Sequence, residues 1–262
     1  MSRLQTQPAK KTVRLGRVTL GAGMPKICVP VMGKSFEDIR AAAVRAKAAD
    51  ADVIELRIDS LNAQPDAETA IAACRAVRGA AGEIPLLLTM RTQRDGGAGS
   101  TDAEAYEAML TAAAKARVCE AIDCELSAGE TAFRRIVHAA HEAGIAVVGS
   151  SHEFGEIGNM ERAAKWLQQQ AALGADIVKA AVMTRTNEEA MAAALTMMRA
   201  GEKLGVPMIA IAMGPAGVLT RIGGACMGSC MTFGTAGEAS APGQVDARAL
   251  RQILEIIQST IS

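Results

Sequence analysis

The chain has 262 residues, half of them apolar and only 2% aromatic, with 28 basic residues against 28 acidic ones and a formal net charge of zero. That apolar content supports a large core and excludes a disordered chain, while the interspersed charges leave no basic face for nucleic acid and no polybasic anchor for a membrane surface. No apolar run approaches the roughly 18 residues needed to cross a bilayer, and the opening MSRLQTQPAKK lacks the apolar stretch of a secretory signal.

In chain order, residues 1–12 read as a polar tail, and 13–20 as a small hairpin around Gly16-Arg17 that plugs the N-terminal end of a barrel. Short β-branched or apolar runs then alternate with longer Ala-rich stretches of helical period. Strands are predicted at 26–31, 52–57, 85–91, 119–125, 145–150, 175–181, 207–212 and 228–233. Helices are predicted at 35–50, 66–81, 101–117, 129–143, 158–173, 187–204, 215–226 and 246–258. Start signals stand at Ser35, Thr101-Asp102 and Asn187, and stop signals at Gly144 and Gly205. Strict β-then-α alternation implies parallel strands with crossover helices, and eight units close a (β/α)8 barrel rather than an open sheet. No G-x-G-x-x-G follows the first strand, which argues against a dinucleotide fold, and no linker divides the chain into domains. The six cysteines include no C-x-x-C pair, lie mostly in apolar surroundings and are expected to be reduced, as in a cytoplasm.

Barrel strands are covered by helices on the outside, so charges on them must face inward or sit at the rim, and the C-terminal rim is where barrel active sites form. By the two-residue period, Glu55 pairs with Arg57, Thr89 with Arg91, Asp123 with Glu125, and Ser150 with His152. Lys179 lies within the apolar run Ala175-Asp176-Ile177-Val178-Lys179-Ala180-Ala181-Val182. Two readings stand for it: an apolar stem with its amine reaching solvent, or a desolvated amine beside cations such as Arg57, Arg91 or Arg221. The second would favour the neutral form and its attack on a carbonyl. His152 directly follows a strand, where an imidazole can move protons both ways or simply support structure. His138 and His141 lie near a helix C-terminus and complement its dipole, with no acid or thiol spaced to complete a metal site. Met213 ends the seventh strand, as a ligand wall or as core. Gly214-Pro215-Ala216-Gly217 looks like a phosphate loop, Arg221 after it can hold an anion, and 237–244 is a lid or an ordinary loop.

From Lys26 to the last helix the sequence resembles the type I 3-dehydroquinate dehydratases of the shikimate pathway. The resemblance is carried by Glu55-Leu56-Arg57, Thr89-Met90-Arg91, Ser151-His152-Glu153-Phe154, Asp176-Ile177-Val178-Lys179, Ile211-Ala212-Met213-Gly214, Thr232-Phe233-Gly234 and Ser240-Ala241-Pro242-Gly243-Gln244. It implies a cytoplasmic, homodimeric barrel enzyme without metal or cofactor that converts 3-dehydroquinate to 3-dehydroshikimate by syn elimination. Lys179 would form the imine, His152 would take the C2 proton and return it to the departing C1 hydroxyl, and Glu55 would assist. Arg57, Arg91, Met213, Arg221, Ser240 and Gln244 would hold the substrate, with Arg221 on its carboxylate. Two departures stand out. Asp95 replaces the glutamate that supports the histidine, and Pro30 replaces a serine at the end of the first strand. The nearest rival is a class I aldolase, which would want a phosphate loop after strands seven and eight. A non-catalytic quinate-sensing module is the rival from another class, and it would be expected to have lost Lys179 or His152.

Overall fold

A computed structural model describes residues 12–62, 65–155, 160–237 and 240–261, so residues 1–11 of the expected tail lie outside the described residues. Eight parallel strands make the barrel: β3 (Lys26–Val31), β4 (Val53–Arg57), β5 (Leu86–Thr89), β6 (Ala121–Glu125), β7 (Ala146–Glu153), β8 (Ile177–Met183), β9 (Met208–Met213) and β10 (Met231–Thr235). They pair in the order β10-β3-β4-β5-β6-β7-β8-β9, and a short β11 (Val245–Asp246) adds to β10. The seam between β9 and β10 closes on one bridge, Met208 with Ser229. There the Cys230 N–H donates to the Met208 carbonyl at 2.8 Å. The Ser229 hydroxyl spans the seam too, accepting from the Ala210 N–H at 3.2 Å and donating to the Met231 carbonyl at 3.0 Å.

Helices α1 (Phe36–Ala48), α2 (Ala67–Ala81), α3 (Ala103–Lys115), α4 (Glu130–Glu142), α5 (Glu161–Ala172), α6 (Asn187–Gly201), α7 (Val218–Ile222) and α8 (Ala247–Ile261) cover the outside. Several of their N-termini are set by side chains that satisfy otherwise orphaned N–H groups. Ser35 and Asp38 form a capping box, Asp66 accepts from the Thr69 N–H, and Asp102 accepts from those of Glu104 and Ala105. α6 begins at Asn187 as expected, but its cap is Thr186 rather than Asn187, and it ends at Gly201, before Gly205. The largest departure is α7, expected over 215–226. It begins with a 3-10 turn at Pro215–Gly217 and ends at Ile222, where the chain turns through Gly223-Gly224 toward the seam.

The apolar residues divide into two cores. One lies between the outer face of the sheet and the helices, where alanines such as Ala43, Ala73, Ala113 and Ala140 are buried. The second fills the barrel. Its lower layer holds Val53, Leu87, Ala121, Val148, Ile177 and Ile209, in one cluster with Leu15, Val18 and Leu20 of the hairpin β1 (Val13–Leu15) and β2 (Val18–Leu20). The hairpin therefore plugs the N-terminal end, as its sequence predicted. Among the described residues no helix is long and apolar enough to cross a membrane. The cysteines are free thiols, five buried and Cys226 exposed.

Candidate active site

Above the apolar layer the inward positions turn polar. Glu55, Arg57, Arg91, Asp95, His152, Lys179, Met213, Arg221, Ser240 and Gln244 all line one cavity of about 110 Å³ at the C-terminal mouth. The structure thus brings every site residue expected from sequence to a single place. The strand-end parities hold, with two changes of boundary. β5 stops at Thr89, so Arg91 projects from the loop beyond it, and β7 runs on to Glu153, so His152 is part of the strand.

Lys179 is 4% exposed. Its Nζ lies 3.5 Å from Asp123 Oδ2, 3.8 Å from Glu55 Oε1 and 4.7 Å from the centroid of the Phe233 ring. The solvated-lysine alternative is therefore excluded. The cationic neighbourhood expected around it is not found, because the nearest charges are carboxylates and Arg57 and Arg91 are themselves balanced. Arg57 is held in a fork by Asp59 through two 2.8 Å bonds. Arg91 donates to Asp123 at 2.8 Å, to Glu125 at 2.8 Å and to the Ser150 hydroxyl at 3.0 Å. Ser150 in turn donates to the other Asp123 oxygen at 2.5 Å. Burial pushes the Asp123 carboxyl up, but the charges of Arg91 and Lys179 outweigh it and hold that carboxyl below the usual range. Tyr106 on α3 fixes the β6 backbone behind these acids, accepting from the Glu125 N–H at 2.9 Å.

Asp95 accepts from both the backbone N–H and ring Nδ1 of His152, at 3.0 and 3.1 Å, so the shorter carboxylate still reaches the imidazole. With Nδ1–H donating to Asp95, the free lone pair of the neutral ring sits on Nε2. Burial, and then the charges of Arg91 and Lys179, hold the imidazole well below its ordinary pKa. The Phe154 ring stacks on it, with centroids 6.4 Å apart and planes 13° from parallel. Gly96 makes room for that ring. It adopts φ +80°, and a Cβ there would stand 2.2 Å from Phe154.

At the mouth, Arg221 is 1% exposed, yet among the described residues it donates only through Nη2 to the Pro242 carbonyl at 3.1 Å, and its Nε has no partner there. Burial alone lowers its pKa to about 10. A desolvated guanidinium with no counter-ion among the described residues is a site prepared for an anion. Gln244 closes the 240–244 turn, accepting from the Ser240 N–H at 2.8 Å and donating to its hydroxyl at 2.9 Å. In the 214–217 segment, Gly217 serves local backbone packing. The Gly217 N–H is used by the Gly214 carbonyl at 3.0 Å, and its glycine is required by the Ala212 carbonyl, 2.1 Å from where a Cβ would stand.

Two functional positions were not singled out from sequence. Asp123 carried a signal, a charge inside a strand covered by helices, but no role. Gln170 is fully buried. Its amide accepts from the Lys179 N–H at 2.9 Å and donates to the Lys179 carbonyl at 3.0 Å and to the Ser151 hydroxyl at 3.1 Å. It is the last of three glutamines, and only helical phase marks it as inward: it lies three residues after Leu167 and seven after Ala163, both buried.

Comparison with known proteins agrees with this geometry. Residues 27–261 match the type I 3-dehydroquinase family. The 3-dehydroquinate dehydratase of Klebsiella pneumoniae (strain 342) is 37% identical over 249 residues, covering 94% of this chain and 98% of that protein. The crystal structure of the 3-dehydroquinate dehydratase from Geobacillus kaustophilus HTA426 superposes with a TM-score of 0.90 at 30% identity, over 96% of this chain and 98% of that one. A type I 3-dehydroquinate dehydratase from Clostridium difficile with covalent modified comenic acid gives 0.88 at 30% identity, over 96% and 99%. An eight-stranded barrel, a buried lysine in its sixth strand and these near full-length matches lead to one conclusion: the chain belongs to the type I 3-dehydroquinase family.

Proposed function

We propose that the protein dehydrates 3-dehydroquinate to 3-dehydroshikimate through a Schiff base on Lys179. The amine attacks the ketone carbon, water leaves, and the iminium draws electron density from C2. His152, through Nε2, takes the C2 proton, giving an enamine. Collapse of the enamine expels the C1 hydroxyl, which receives that proton from the same face and departs as water, and hydrolysis of the product iminium restores the amine. General acid–base help of this kind is worth roughly 10²–10⁴-fold. Asp95 keeps the ring oriented and Glu55 assists at the reacting centre. Arg221 binds the substrate carboxylate, while Arg57, Arg91, Ser240 and Gln244 hold its hydroxyls and Met213 packs against its ring. The same reading takes the chain as a single-domain, homodimeric enzyme of the cytoplasm that needs neither metal nor cofactor.

The observation that carries the proposal is a lysine amine, 4% exposed, sharing a cavity with His152 and with a guanidinium whose Nε has no partner among the described residues. A guanidinium accepts either a carboxylate or a phosphate, and the match of residues 27–261 to the type I 3-dehydroquinases favours the carboxylate-bearing substrate over the sugar phosphate of an aldolase. Treatment with borohydride in the presence of 3-dehydroquinate should inactivate the protein and leave substrate mass on Lys179, with no adduct in Lys179→Ala. An enzyme that keeps full activity and gains no mass under those conditions refutes the Schiff base. Failure to raise enone absorbance from dehydroquinate refutes the substrate.

A further inference from the structure

We infer that Asp123 is the fixed counter-ion of the reacting nitrogen, pairing with the Lys179 ammonium before substrate arrives and with the iminium after it forms. The inference rests on the Schiff-base reading above and separates the work of two carboxylates that both approach Nζ.

Asp123 is fully buried and both of its oxygens are anchored. Oδ2 accepts from Arg91 Nη2 at 2.8 Å and faces Nζ at 3.5 Å, while Oδ1 accepts from the Ser150 hydroxyl at 2.5 Å. A carboxylate gripped at both oxygens cannot rotate, and its donors all favour the anion. Glu55 is anchored differently. Thr89 donates at 2.9 Å to Oε1, the same oxygen that lies 3.8 Å from Nζ. A carboxylate held through one oxygen can turn and carry a proton.

The chemistry calls for both kinds. Iminium formation is R–NH3+ + O=CR2 → R–NH+=CR2 + H2O. Nitrogen gives up two protons, both leave with the ketone oxygen as water, and one positive charge stands at nitrogen at the start and at the end. Between those states the amine must be neutral, so one proton has to rest on a nearby base before it reaches the oxygen. Glu55 is the acid that can take it and pass it on. Asp123 takes no proton, and its charge, fixed by Arg91 and Ser150, opposes the cation at both ends of the step without reorganising. Asp123 therefore counts as a catalytic residue, while Ser150 and, for this step, Arg91 are positioning residues.

The test is Asp123→Asn, which keeps the shape and removes the charge, read by steady-state kinetics and by the rate of borohydride trapping at saturating dehydroquinate. We expect kcat and the trapping rate to fall by about 10²–10³-fold, the range seen when one preorganised electrostatic group is lost. KM should move by less than about threefold, since the group acts on the reacting nitrogen and not on ground-state binding. A purely structural Asp123 would lower the melting temperature and leave trapping per folded molecule unchanged. A folded Asp123→Asn that is trapped and turns over like wild type overturns the assignment. If Arg91, which keeps Glu125 but loses its Asp123 partner, prevents that variant from folding, Ser150→Ala carries the test. It leaves every charge in place but frees Oδ1, and a loss of roughly tenfold in trapping, the worth of one hydrogen bond to a charged group, is expected. Wild-type trapping in Ser150→Ala then overturns the assignment instead. Should the wild-type enzyme itself resist trapping, the Schiff-base reading falls first. Trapping of wild type and Asp123→Asn at equal rates removes the counter-ion alone.

Discussion

Two layers inside the same barrel, one residue pair apart, are built from opposite chemistry. On five consecutive strands the lower position is apolar and the position two residues later is polar: Val53 then Glu55, Leu87 then Thr89, Ala121 then Asp123, Val148 then Ser150, Ile177 then Lys179. Two residues of strand advance the chain by about 6.6 Å. The lower layer is dry, continuous with the hairpin plug, and each of its larger side chains contributes roughly 1.5–3 kcal/mol by burial. The upper layer removes three ionisable groups, Glu55, Asp123 and Lys179, from water, at a cost met only by its hydrogen bonds and ion pairs. The contrast shows a fold that concentrates stability at one end of its strands and spends part of it at the other.

The comparison is broken most severely by removing the proton carrier. His152→Ala should lower kcat by about 10²–10⁴-fold. Borohydride should still trap substrate on Lys179, because the imine forms without the imidazole. Near-normal turnover would cancel the proton-shuttle role. Wild type should also show a distinctive pH profile. The neutral ring is the base, and burial with the charges of Arg91 and Lys179 disfavours the protonated ring. His152 therefore stays neutral at pH values where an exposed histidine would be charged. The acid limb of kcat/KM assigned to it should fall below the ordinary histidine value of about 6.5. A limb at or above that value would mean that the site does not hold the ring neutral.

Much of this contrast was legible before any coordinates, and the reason is periodicity. Strand parity alone puts Glu55 with Arg57 and Ser150 with His152, and a covering of helices leaves charges on strands no exit but inward. What parity does not give is which charges touch. The expectation that arginines crowd Lys179 failed because Asp59, Asp123 and Glu125 had already claimed Arg57 and Arg91. Pairings between strands depend on register, which no single segment encodes. Gln170 escaped notice because its clamp on Lys179 crosses from a helix to a strand, and its neighbours Gln168 and Gln169 carry the same side chain. The α7 boundary failed because the glycines on either side of it serve close backbone packing, so the local period had no vote.

The upper layer also predicts a trade-off at its rim. Arg221 is buried with an unpartnered Nε and a pKa drawn down to about 10 by burial. Arg221→Met should remove the anion site and raise KM for dehydroquinate by about 10²-fold, the worth of a charged, forked contact. Thermal or urea unfolding should show the same variant more stable, on the order of 1–3 kcal/mol, because a desolvated charge with no counter-ion is replaced by apolar volume. Loss of both binding and stability would mean that the Pro242 carbonyl satisfies the guanidinium, and that the group is structural.

The smallest effect on catalysis should come from the far end. Leu20 is fully buried in the hairpin and belongs to the same apolar cluster as Val53, Leu87 and Ile177. Leu20→Ala should cost about 2–5 kcal/mol of unfolding free energy, the range for emptying a buried leucine site. Measured well below the melting temperature, kcat should stay within about twofold of wild type, since distant sites with no shared partners act independently. The two layers are coupled only through strands that are rigid along their length. If kcat falls with stability, the plug is setting the height of the strand ends, and the polar layer owes its geometry to a hairpin that never touches it.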